Sequence, residues 1–166
     1  MSARFGRLPW LWLSLLVFVI DQASKFYFDN ALTMYQQIVV IPDYFSWTLA
    51  YNTGAAFSFL AGASGWQRWL FAVIAIVISA VLVVWLKRLK PDETWLAMAL
   101  ALVLGGALGN LVDRVMFGHV VDFILVHWQH RWYFPAFNVA DAAITLGAIL
   151  LALDMFKSHK SGETTP

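Results

Sequence analysis

Four stretches of the chain, about residues 8–28, 67–86, 95–112 and 137–156, are each long and apolar enough to cross a bilayer. Roughly 20 helical residues at about 1.5 Å each cover a hydrocarbon core of about 30 Å. With 61% hydrophobic residues, 13% charged and nine Trp, the 166 residues read as one membrane-embedded domain, 1–166, rather than a soluble one. The first stretch holds a 13-residue apolar run, LPWLWLSLLVFVI, behind basic residues, which invites a secretory signal peptide. No small-x-small cleavage site follows it. DQASKFYF follows instead, and Asp21 and Lys25, four apart, pair on one face of a continuing helix.

The basic residues orient the spans. Arg4, Arg7, Lys87, Arg88, Lys90, Lys157 and Lys160 are seven of the 11 and fall on one side, whereas Lys25, Arg68, Arg114 and Arg131 fall on the other. Both termini are therefore expected in the cytoplasm. The basic residues form no stripe or tail, which argues against a nucleic-acid partner. Cysteine is absent, excluding disulfides, thiolate catalysis and thiolate metal sites.

The outer connections carry structure of their own. In 37–51, QIVVIPDYFSWTLAY, Phe45, Trp47, Leu49 and Tyr51 alternate with Ser46, Thr48 and Ala50 after a Pro42–Asp43 break, the pattern of a small hairpin. VVDFILV, 120–126, is a third strand candidate, within an outer β region of about 36–65 and 119–135. GAAFSFLAGASGWQRW, from Gly54 onward, suits a short interfacial helix, and 52–65, bracketed by Gly54, Gly62 and Gly65, a lid that gates the site.

Given these spans, polar residues gather at one depth. Asp21 and Lys25 end the first span, Asn110, Asp113 and Arg114 end the third, and Asn138 and Asp141 begin the fourth. Glycines 105, 106 and 109 allow helices to approach closely there. A charge inside a bilayer costs about 3 kcal/mol, so such a cluster marks a functional site by default. Several members have simpler explanations. Asp21 with Lys25 is an ion pair bracing a span end; Asp113 and Arg114 suit a helix C-terminus, where Arg can fork several carbonyls; Asp154 near Lys157 is a solvated pair. Asp141 could be a first-turn residue capped by Asn138. Asp122, amid Val120, Val121, Phe123 and Ile124, lies in the segment returning the chain to Asp141. Two such carboxylates sharing one proton can activate a water and protonate a carbonyl oxygen, which is what amide hydrolysis requires.

Rival chemistries remain open at this point. His119, Asp122, His127 and His130 have the residue types of a zinc site without an HExxH helix, and His127 and His130 beside Trp128 and Trp132 also suit the headgroup layer. Ser58 and Ser64 lack an elbow motif and evident partners. A proton-coupled carrier would also use intramembrane carboxylates, but the acids collect at one face and no internal repeat suggests alternating access. A non-catalytic assembly factor is a third possibility.

Five ordered blocks narrow these choices: DQASK at 21–25, NTGAAF at 52–57, GGALGNLVDR at 105–114, VVDF at 120–123 and FNVAD at 137–141. In these the chain resembles the bacterial lipoprotein signal peptidases (signal peptidase II, aspartic peptidase family A8) along nearly its whole length. The resemblance implies a polytopic α-helical membrane protein of the bacterial inner membrane, with four transmembrane helices, a small extracytoplasmic β-sheet cradle and a short interfacial helix. It implies an aspartic endopeptidase, free of metal and cofactor, whose catalytic pair is Asp122 and Asp141, acting at the outer leaflet. Asn52, Gly54, Asn110, Arg114 and Asn138 would support the dyad or bind substrate; Asp21, Lys25 and Asp113 would be structural. The implied substrates are prolipoproteins carrying diacylglyceryl on the Cys that becomes residue one. The expected partners are these precursors and membrane lipids, and the chain is expected to be a monomer.

Overall fold

A computed structural model describes residues 6–54, 65–129 and 131–162, with side chains placed through 156. After a short 3₁₀ turn, Leu8–Trp10, opened by Pro9 at a helix-start position where its missing N–H costs nothing, α1 runs Leu11–Ala31. Three more long helices follow: α2 Trp66–Arg88, α3 Thr94–Phe117 and α4 Val139–Gly162. All four are long and apolar enough to cross a membrane. Their surfaces are rich in exposed Leu, Ile, Val and Trp, such as Leu15, Val19, Ile76, Val77 and Leu146. Such faces are stable only against lipid.

α3 is the central post. Half of its most apolar window is buried, against 22% or less in each other span, because three glycines and small residues line it. A Cβ at Gly105 would come within 2.7 Å of the Ser14 carbonyl oxygen on α1, and one at Gly106 would collide with the Ala140 carbonyl on α4. These two glycines set how closely the first and fourth helices approach the third. On α2, Leu82 and Leu86 pack with Leu100 and Leu104 of α3 in the main apolar core. At that end Arg7 ties the start of the chain to the α2–α3 connection through Lys90 O at 3.2 Å and Thr94 Oγ1 at 2.6 Å.

The opposite end carries a four-stranded antiparallel sheet in the order β1-β2-β3-β4, with β1 Gln37–Ile41, β2 Phe45–Asn52, β3 Val120–Trp128 and β4 Trp132–Tyr133. The expected hairpin turns at Pro42–Asp43, where Asp43 adopts φ 67° as Asp tolerates in turns. Alternation along β2 does not persist. A register shift between Trp47 and Ala50 against β3 buries Thr48 and Leu49 in succession, as a bulge does. α3 also outruns its expected end at 112, because no helix breaker occurs before Gly118, whose φ of 83° closes the helix through a bond to the Arg114 carbonyl. Asp113 and Arg114 are thus helical. The interfacial helix and lid fall mainly on residues 55–64, outside the described residues; Trp66–Arg68, expected with them, form the first turn of α2.

Candidate active site

Where the helices meet the sheet, Lys25 is buried with three acceptors around its ammonium: Asp21 Oδ2 at 2.8 Å, Asp113 Oδ2 at 2.9 Å and Asn110 Oδ1 at 2.9 Å. The two carboxylates are further satisfied. Asp21 accepts the Ala140 N–H of α4 at 2.8 Å, and Asp113 accepts the Val121 N–H of β3 at 3.2 Å. Gln22 donates to Asp113 at 2.9 Å and to the Gly109 carbonyl at 3.2 Å. These bonds join α1, α3, α4 and β3 around a single positive charge.

Three asparagines stand between this ion cluster and two further carboxylates. Asn110 Nδ2 donates to Asp141 Oδ1 at 2.7 Å, and Asn138 Nδ2 donates to Asp122 Oδ1 at 2.7 Å. Asn52 hydrogen-bonds Asp122 as well. In each amide the oxygen faces a group that can only donate: Lys25 for Asn110, the Asp141 N–H at 2.9 Å for Asn138, and the Gly54 N–H at 3.0 Å for Asn52. Every nitrogen is thereby turned toward a carboxylate. Asn138 and Asp141 also close a capping box at the start of α4, since the Asn138 N–H returns to Asp141 Oδ2 at 3.3 Å. A first-turn role and a place in the cluster are compatible for Asp141.

Asp122 is buried in β3, opposite Ala50 of β2. Burial, then repulsion from Asp141, push its carboxyl up to about 7, although Asn138, Asn52 and Lys25 pull the other way. Arg114 holds the mouth: its guanidinium donates to the Asn110 and Gly54 carbonyls, both at 3.0 Å, and lies over the Phe71 ring at 5.5 Å. A cavity of about 650 Å³ leads away between α2 and α4, apolar along Ile74, Ile78, Leu146 and Ile149 and polar at its head, where Asn52, Asn110, Arg114 and Asp141 line it. Asp122 lies behind that wall.

Other candidates disperse. His119 stacks on Tyr51 at 4.1 Å. His127 is buried and bonds Ser46 Oγ at 3.1 Å; a buried hydroxyl facing the sheet draws the ring inward. His130 and the side chain of Lys157 are outside the described residues, within which no three metal-ligating side chains cluster. Sequence reasoning missed Gln22, which sits beside Asp21 in the first block, and missed the three-way anchoring by Lys25. The signal for either was its place in the first block, with Lys25 one turn on from Asp21.

The family described as Signal peptidase (SPase) II matches residues 13–157. Proteins named lipoprotein signal peptidase from Pseudomonas syringae pv. tomato and Pseudomonas putida are 79% and 82% identical, over 98% and 96% of this chain and 94% of each relative. A solved bacterial membrane enzyme, determined by the in meso method at 2.3 Å resolution, superposes with a TM-score of 0.84 at 29% identity, covering 100% of this chain and 98% of that one. The chain belongs to the signal peptidase II family.

Proposed function

We propose that this membrane peptidase removes signal peptides from prolipoproteins by a two-carboxylate mechanism in which Asp122 and Asp141 share one proton. The observation that carries the reading is their placement: Asp141 lines the polar head of an apolar groove open between two spans, and Asp122 stands behind it, with Asn138 donating its side-chain amide to Asp122 and its backbone N–H to Asp141. A signal-peptide helix fits the groove between α2 and α4, and its scissile carbonyl lies against the polar head. The carbonyl reaches Asp122 by taking the place of the Asn52 amide. One carboxylate then removes a proton from water, the other protonates the carbonyl oxygen, and no covalent intermediate forms. Arg114 orients the substrate backbone, and Asn110 orients Asp141.

The protein is a multi-pass protein of the bacterial inner membrane. Its sheet end faces the outer leaflet and both termini the cytoplasm, in keeping with the Lys and Arg distribution. The substrate class is a precursor bearing diacylglyceryl on its cysteine, whose acyl chains stay in lipid beside the groove while the peptide bond preceding that residue is cut. The enzyme works as a monomer. The test is cleavage of lipid-modified and unmodified precursors by purified protein with chelator present. Rapid cleavage of the modified precursor alone is expected. Equal rates would remove the lipid from recognition, and inactivation reversed by zinc would remove the dyad mechanism.

A further inference from the structure

We infer that the shared proton resides on Asp122 and that Asp141 is the carboxylate that deprotonates the attacking water, an assignment that rests on the dyad reading above. The orientation of the amides supplies the first step. Because Lys25 has only N–H donors, the Asn110 atom 2.9 Å away is its oxygen, and the nitrogen is committed to Asp141 Oδ1 at 2.7 Å. Asp141 Oδ2 receives the Asn138 N–H, so both oxygens of Asp141 are acceptors; Asp122 also accepts, from the Asn138 and Asn52 amides, so position in the fold decides between the two. Lys25 acts here as a positioning residue: it fixes which way Asn110 faces.

Position in the fold supplies the second step. Asp141 occupies the first turn of a long helix, where unpaired N–H groups and the helix dipole favour an anion. It lines the polar head of the cavity beside Arg114. Asp122 has none of these advantages. It is 2% exposed, in mid-strand between Val121 and Phe123, which are 4% and 2% exposed. The groups facing it are Asn52 from β2, Lys25 from α1, Arg114 from α3, and Asn138 with Asp141 at the start of α4. Lys25 is already claimed by Asp21 and Asp113, at 2.8 and 2.9 Å. Once Asp141 is ionised, a second negative charge on Asp122 is the costly one.

The chemistry then balances. Asp141 takes a proton from water as its oxygen bonds to the scissile carbonyl carbon, and Asp122 gives its proton to the carbonyl oxygen, leaving a neutral gem-diol. Asp141 next protonates the amide nitrogen, the C–N bond breaks, and Asp122 recovers a proton from one gem-diol hydroxyl. Both carboxyls return to their starting states.

Infrared spectra of the reconstituted protein, taken from about pH 5 to about pH 9, read the C=O band of a protonated carboxyl. Wild type should lose such a band with a midpoint near 7. Asp141→Asn should keep the band with a lower midpoint, the repelling charge being gone, and Asp122→Asn should lack it. A band that survives Asp122→Asn and vanishes in Asp141→Asn overturns the assignment. If Asp122→Asn does not fold, Asn52→Ala serves, since it removes a donor from Asp122 and should raise the midpoint; an unmoved midpoint overturns the assignment. Turnover of the same samples separates the two layers of argument. Activity retained by either Asn variant defeats the dyad itself, whereas two inactive variants with the band following Asp141 defeat only the proton's location.

Discussion

The buried ammonium of Lys25 donates to the side-chain oxygen of Asn110 at 2.9 Å, so a full charge on α1 fixes the direction of a neutral amide on α3. Stability and positioning are therefore separable at this residue. Lys25→Met should cost about 3–5 kcal/mol, because Asp21 and Asp113 are left buried and unpaired. Adding Asp21→Asn and Asp113→Asn should recover much of the melting temperature without recovering turnover, since Asn110 still lacks its anchor. A triple variant that regains both stability and wild-type activity would show that Lys25 is only a brace.

For the dyad itself, Asp122→Asn and Asp141→Asn should each reduce turnover by roughly 10⁴-fold or more, and the double variant should be scarcely worse, as groups acting as a unit behave. Asp154→Asn, far along α4 from both, should be nearly silent. Cleavage rates and melting temperatures in one detergent check all four.

The rate should also fall as pH rises through about 7, where Asp122 loses its proton. Stability has its own sign. The Asp122 carboxyl is raised from 3.8 to about 7 on folding, so the native state binds the extra proton between those values. That contribution is complete below the unfolded value and lost as pH climbs to about 7. Thermal melts should show the decline in wild type and a shallower one in Asp122→Asn.

In the groove, Ala75→Trp projects a large ring from α2 into the space facing α4. It should raise KM for a full precursor several-fold with little change in melting temperature, because the ring replaces lipid and not protein contacts. An unchanged KM would move substrate binding elsewhere.

Gly106→Ala should act through geometry alone. Its methyl group would press on the Ala140 backbone, costing about 1–3 kcal/mol as overpacking does, and would push the start of α4, with Asn138 and Asp141, away from Asn110. Activity should fall further than the stability loss explains, measured at a temperature where the variant is fully folded.

Much of this architecture is legible in the chain. Span length and the lysine and arginine pattern place Asp21, Asn110, Asp113 and Asn138 at one level before any coordinates are known, and the Pro42–Asp43 break locates the hairpin. What the sequence withholds is direction and burial. Nothing in the spacing of Lys25 and Asn110, 85 residues apart, says that one orients the other. The β2 bulge depends on pairing with β3, a partner that local alternation does not encode. His127 looks amphipathic beside Trp128 and is buried only because Ser46, on a neighbouring strand, is there to receive it.

The cluster draws on α1, β2, α3, β3 and the opening of α4, so no single helix or hairpin contains it. During synthesis the ribosome must deliver the fourth of these helices before Asp141 can meet Asp122. On the two-carboxylate reading, a half-made chain in the translocation machinery, surrounded by other nascent membrane proteins, has no cutting power. Arrival of the fourth helix is then itself the activation step, and it separates the enzyme in time from the membrane proteins made beside it.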